Sequence, residues 1–177
     1  MPRAAVFAPC PSPWTSCCET MRRRAPMTPA ELRSALIGTW CLVSYEATAV
    51  DDGEVVRPYG EHPVGIIMYS ADGYMSAQIA KPGRPSFDEE RQEYGSQEEL
   101  ADAARNYLAY TGRFRIPDGG TVVHEVILSL FPNWMSGAQL RVAHLDGSRL
   151  QLALPAAVSI HGKQRTGVLT WERAQAD

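Results

Sequence analysis

The sequence predicts an all-β protein: an antiparallel up-and-down β-barrel of about eight strands, with a short N-terminal helix and one helix inserted mid-chain. Three observations carry that expectation. Turn signals recur at short intervals: Asp51-Asp52-Gly53, Ala71-Asp72-Gly73, Pro117-Asp118-Gly119-Gly120, Asp146-Gly147-Ser148 and His161-Gly162-Lys163. Each supplies residues that tolerate the positive φ of a tight hairpin. Between the turns lie short runs rich in β-branched and aromatic residues, the pattern of a meander. A meander of this length hides its strand edges best by closing on itself.

Composition agrees and narrows the classes. The chain has 177 residues, 45% hydrophobic and 21% charged, enough for one domain with a real core. Its 14 glycines and 13 prolines suit a fold with many turns. No stretch approaches the roughly 20 apolar residues of a membrane helix. A net charge of −3 gives no electrostatic case for nucleic acid or an anionic membrane.

Residues 1–26 read differently from the rest. They lack periodicity, and Arg22, Arg23 and Arg24 follow the weakly apolar part, the reverse of a secretory signal. They are expected to be a disordered leader, or to precede a true start at Met27, with residues 27–177 forming the domain. The leader carries Arg3 and those three arginines against Glu19, which leaves the body at −6. Cys10, Cys17 and Cys18 belong to the leader, without metal-ligand spacing. Cys41 alone lies in the body, which suits a reducing cytoplasm.

In chain order, Thr28-Pro29-Ala30-Glu31 opens a short helix with an N-cap, a first-turn proline and a capping-box glutamate. Strands are then expected over residues 40–48, 64–69, 74–80, 112–116, 121–130, 139–145, 150–154 and 166–173. Residues 81–94, with Pro82, Gly83 and Pro85, have loop composition, and the run Asp88-Glu89-Glu90 beside Arg84 reads as a solvated face. A second capping box, Ser96-Gln97-Glu98-Glu99, starts a helix over residues 97–109. Loop and helix together are placed to be a lid over one barrel mouth, or a plug that fills the end.

Leu36-Ile37-Gly38-Thr39-Trp40 holds a Gly-x-Trp signature, in which glycine turns the helix into the strand and tryptophan covers the barrel floor. Pro58-Tyr59-Gly60, Gly65-Ile66-Ile67-Met68-Tyr69, Gly73-Tyr74-Met75-Ser76-Ala77 and Tyr107-Leu108-Ala109-Tyr110-Thr111-Gly112 follow in order. Val123-His124, Phe131-Pro132-Asn133-Trp134 and Leu169-Thr170-Trp171-Glu172-Arg173 complete the series. In that order and spacing, residues 32–173 resemble the bacterial and fungal lipocalin-like domain family. The resemblance implies an eight-stranded barrel and little specific chemistry. It also implies that Arg173, near the end of the last strand, packs across Trp40, so Gly38, Trp40 and Arg173 are read as structural.

Period-two phasing selects the candidate interior residues. On residues 121–130 the more apolar face is Val122, His124, Val126, Leu128 and Leu130, which turns His124 inward. Two roles stay open for it: a core histidine satisfied by a tyrosine or serine, or a ligand contact and general acid/base. Tyr69 is phased inward; Met75, Ala77 and Ile79 face the core, and Gln78 is a further candidate contact. Tyr107 and Tyr110 are placed near the mouth, at the end of the inserted helix. Arg113 and Arg141 are strand arginines among apolar neighbours, read either as exterior charges or as partners for a carboxylate or enolate. Trp134 is expected on the rim.

These residues point to a cytoplasmic barrel that binds a small apolar or aromatic molecule. The alternatives are an isomerase or cyclase without a cofactor, with His124 as its acid/base, and a packed barrel acting through partner contacts. No cofactor and no metal are called for, since neither a phosphate-binding glycine loop nor a ligand cluster occurs in the sequence. A homo-oligomer is compatible with all three readings.

Overall fold

The computed structural model describes residues 27–88 and 95–175. The leader with its three cysteines, and Glu89 and Glu90 of the acidic run, lie outside the described residues. Thr28 caps the first helix, α1 (Pro29–Leu36), by accepting from the Glu31 amide, and Glu31 returns a carboxylate to the Thr28 amide at 2.8 Å. This satisfies two orphan donors of the first turn. Its apolar positions Leu32 and Leu36 are fully buried against the barrel end.

The strands follow as β1 (Gly38–Ala49), β2 (Val55–Val56), β3 (Val64–Tyr69), β4 (Tyr74–Ala80), β5 (Tyr107–Arg115) and β6 (Thr121–Ser129). Then come β7 (Ala138–Asp146), β8 (Arg149–Ala153), β9 (Val158–Ile160) and β10 (Lys163–Arg173). A second helix, α2 (Gln97–Arg105), precedes β5, and a single 3-10 turn, Pro132–Trp134, follows β6. Eight strands pair antiparallel in the order β1-β3-β4-β5-β6-β7-β8-β10, and β10 returns to β1 to close the barrel. The two-residue β2 pairs antiparallel with the end of β1, and the three-residue β9 with the start of β10. No helix among the described residues is long and apolar enough to cross a membrane.

The floor is built around Trp40. Its ring is fully buried, and its indole N–H donates to the Leu36 carbonyl at 2.9 Å, tying the end of α1 to β1. The Arg173 guanidinium lies 4.1 Å over the same ring and donates to the Ile37 carbonyl at 3.0 Å and to the Ala35 carbonyl. One side chain therefore satisfies C-terminal carbonyls of α1 and stacks on the aromatic face below them. Gly38 has φ +127, and a Cβ there would come within 2.8 Å of the Arg173 guanidinium. Arg173→Ala is expected to cost about 2–3 kcal/mol in a denaturant titration. Arg173→Lys should recover only part of this, because an ammonium cannot stack and span both carbonyls in the same way.

Two sequence expectations are corrected here. The inserted helix ends at Arg105 rather than residue 109, and β5 begins at Tyr107 rather than residue 112. Tyr107 and Tyr110 are strand residues, because their alternation with Leu108 and Ala109 continues the β5 pairing with β4. The second concerns phase on β6. Its first half alternates as expected, with Val122, His124 and Val126 buried, but Leu128 and Leu130 are exposed. The register with β5 slips between Thr111 and Gly112, so that Gly112 opposes Val126 while Thr111 opposes Leu128. Ile127 is the extra residue of a bulge that turns everything after it to the other face.

Candidate functional site

Above the floor the barrel encloses a cavity of about 680 Å³. Its wall is mostly aliphatic and aromatic: Ile67 from β3, Ala77 and Ile79 from β4, Leu108 and Tyr110 from β5, Leu152 from β8, and Leu169 and Trp171 from β10. Toward the rim stand Tyr45, Tyr59, Phe131, Trp134 and the residues of β9. These are the interior phases of antiparallel strands, so the cavity follows from the pleat and the closure of the sheet.

The rim aromatics form two groups. Tyr45 and Tyr59 are stacked with centroids 6.1 Å apart, while Trp134 meets Tyr110 edge-on at 5.6 Å and Phe131 at 5.4 Å. The 3-10 turn delivers Trp134 inward between these rings.

Among the described residues, the one cation of the wall comes from β7, whose first part runs against the usual polarity of a barrel strand: Leu140 and Val142 are exposed, while Gln139 and Arg141 line the cavity and Ala143 and Leu145 continue the inward phase. Arg141 is only 9% exposed. It donates to the Leu140 carbonyl at 2.7 Å and to the Gln139 side-chain carbonyl at 3.4 and 3.5 Å, and its charge acts on the Tyr110 phenol.

Behind Tyr110 lies a buried polar chain. The Tyr110 hydroxyl is 2.9 Å from His124 Nδ1, and the Tyr69 hydroxyl is 2.9 Å from His124 Nε2. A neutral imidazole has one N–H and one lone pair, so it donates to one phenol and accepts from the other. Burial, and secondarily the Arg141 charge, bring the His124 pKa down from 6.5 to about 3. Burial likewise raises both phenols, with Arg141 opposing the rise. Near neutral pH the three rings are therefore uncharged, and the guanidinium beside them is not.

Of the residues singled out in the sequence, the structure brings together Tyr69, Tyr110, His124, Trp134 and Arg141. Only Tyr110, Trp134 and Arg141 face the cavity; Tyr69 and His124 stand behind its wall. The other three lie elsewhere. Gln78 is on the outer face of β4 and donates to Ser76 at 2.6 Å, because β4 keeps Met75, Ala77 and Ile79 inside. Arg113 is exposed on β5 and stacks 4.5 Å over Tyr74. Tyr107 carries the Arg84 guanidinium 5.1 Å over its ring, outside the barrel. Arg84 also donates to the Ala103 carbonyl at 3.2 Å. No residue of α2 lines the cavity, and none of its side chains is buried; residues 89–94 of the loop ahead of it lie outside the described residues.

Tyr45, Tyr59, Gln139 and Trp171 line the cavity without having been singled out as candidate contacts in the sequence. For Trp171 a signal existed, since it alternates with Leu169 on the apolar face of the last strand. Tyr45 gave none, because β1 also slips register, between Leu42 and Ser44, which carries Tyr45 to the side of Trp40. Among the described residues no group of three His, Cys, Asp or Glu side chains could hold a metal ion.

The family described as "Lipocalin-like domain" matches residues 37–174, nearly the whole barrel. The chain is also similar to the 4'-hydroxy-3'-methoxypropiophenone carrier protein ppsC of Aspergillus oryzae (strain ATCC 42149 / RIB 40). The two are 41% identical over 106 residues, which is 56% of this chain and 96% of that protein.

Proposed function

The chain belongs to the lipocalin-like domain family, and from that premise we propose that it is a carrier, which holds one small aromatic molecule in its barrel and releases it unchanged. The observation that carries the reading is the cavity of about 680 Å³, within the usual range for small-ligand sites, walled mostly by apolar and aromatic side chains with Gln139 and Arg141 among its polar groups. The similar Aspergillus protein is named as a carrier of an aryl ketone, which supports an aromatic ligand here.

The position of His124 supports carriage over an isomerase or cyclase. Both of its ring nitrogens are engaged by tyrosines, and Tyr110 stands between it and the cavity. A general base needs a free lone pair within reach of the substrate proton. The reading places the protein in the cytoplasm, where an exposed free thiol such as Cys41 stays reduced.

The test is a tryptophan-fluorescence titration of the full chain with 4'-hydroxy-3'-methoxypropiophenone and simpler aryl ketones. Saturable one-to-one binding with unchanged ligand recovered afterwards is the expected result. Trp134→Ala should weaken it roughly tenfold, with Trp171 still reporting. Absence of saturable binding to any aryl ketone would overturn the reading, and a transformed ligand would replace carriage by catalysis.

A further inference from the structure

Arg141 sets a constraint that an apolar ligand leaves unmet. It is more than nine-tenths buried, permanently protonated and part of the cavity wall. Its hydrogen-bond partners among the described residues are a backbone carbonyl and an amide oxygen, both neutral. A buried cation without a counter-charge is costly, and proteins pair such groups.

Among the described residues the interior offers no anion. Of the titratable side chains around Arg141, Tyr45 on β1, Tyr59 ahead of β3, Tyr110 on β5 and His161 line this space, while Tyr69 on β3 and His124 on β6 stand behind its wall and Arg165 is buried on β10. Burial raises the four phenols, so none becomes a phenolate near neutral pH. His124 is neutral, and Arg165 is already paired with Glu54 at 2.8 Å. The other interior arginine thus has its carboxylate, and Arg141 does not.

We propose that the ligand itself supplies the missing charge: the cavity selects aromatic molecules bearing an ionised oxygen, a carboxylate or a phenolate, and seats that oxygen on Arg141. This rests on the carrier reading and refines it. Leu140 and Gln139 hold part of the guanidinium from below, Tyr110 adds a hydroxyl beside it, and the ring of the ligand lies toward Trp134 and the Tyr45–Tyr59 pair. A guanidinium meets either anion with short charge-assisted hydrogen bonds, so carboxylate and phenolate share one mode of recognition.

Two probes test this on the full chain, and they separate the two sources. The first is the matched pair 3-phenylpropanoate and 3-phenylpropanamide, equal in ring and length but differing in charge. The acid should bind at least tenfold more tightly. That preference should vanish in Arg141→Gln and largely return in Arg141→Lys. The second probe is 4-nitrophenol, whose absorbance reports its own ionisation. An adjacent cation favours the phenolate whereas burial favours the phenol, so the sign of the shift decides between them. The apparent pKa of the bound phenol should fall by about 1 to 3 units. This second measurement needs no variant and stands even if Arg141→Gln fails to fold.

Equal binding of acid and amide, together with an unchanged or raised pKa for bound nitrophenol, would overturn the anion inference and leave the carrier reading intact. Failure of all these probes and of the aryl ketones to bind would overturn both. A preference for the acid alone, or a lowered pKa for the phenol alone, would support the inference and assign the ligand to that one source.

Discussion

Acidification from pH 7 to pH 5 is expected to cost the wild-type protein about 2 kcal/mol more folding stability than it costs a His124→Gln variant. The imidazole is held at about 3 in the fold, first by burial and then by the Arg141 charge, against 6.5 when released. Between those values the unfolded chain takes up a proton that the folded chain refuses. Stability therefore falls as the pH drops through this window, and above 6.5 the contribution is fully present. Each unit of difference is worth about 1.4 kcal/mol, of which the interval from pH 7 to 5 samples roughly one and a half units. His62, His144 and His161 are common to both proteins and cancel in the comparison. Urea titrations of the two proteins at each pH give the measurement. Equal losses would mean that His124 accepts a proton inside the fold, which would reopen its candidacy as an acid/base.

That prediction depends on a residue whose direction was readable from its strand. Alternation placed His124 inside because the first half of its strand, Val122 to Val126, is regular, and the same rule placed Tyr69 and the Met75, Ala77 and Ile79 face. The packing of Arg173 on Trp40 was legible through the family resemblance instead. A tryptophan at a strand start and an arginine at the last strand's end face each other in the closing pair of the barrel.

The rest of the site was hidden by two local departures from regularity and one inversion of polarity. Register slips on β1 and β6 move Tyr45 inward and Leu128 outward, and a slip leaves no mark in a period-two count. On β7 the apolar residues Leu140 and Val142 face outward while Gln139 and Arg141 face in. A rule that sends apolar side chains inside misreads such a strand. Local rules fail most informatively where function opposes them, and the inverted strand is the one that carries the charge. Gln78 and Arg113 show the converse. Both are polar residues on outer faces, where the simplest reading of their strands already put them.

Gly112→Ala is expected to destabilise the protein by about 3 kcal/mol or more, although it adds a single methyl group. Gly112 sits on β5 across from the β6 bulge, where the two backbones approach unusually closely. A Cβ built there would lie 1.9 Å from the Glu125 carbonyl oxygen and 3.1 Å from the Ile127 amide nitrogen. Both are backbone atoms, so no side-chain rotation relieves the clash, and the strands must separate. The interior position alone does not explain the glycine: neighbours in the same phase, Tyr110 and Phe114, carry large rings. What excludes a side chain at Gly112 is the bulge. The damage should also reach the site. Tyr110 lies two residues from Gly112 and His124 two residues from its partner Val126, and their 2.9 Å hydrogen bond spans the two strands. Spreading β5 from β6 would lengthen that bond and shift Tyr110 against Trp134 and Arg141. Gly112→Ala should therefore weaken ligand binding in proportions that the distant floor variant Arg173→Ala does not, even when both are compared at temperatures where they remain folded. A Gly112→Ala protein with wild-type stability would mean that the bulge can relax freely, and the close coupling between strand register and site geometry would then not hold.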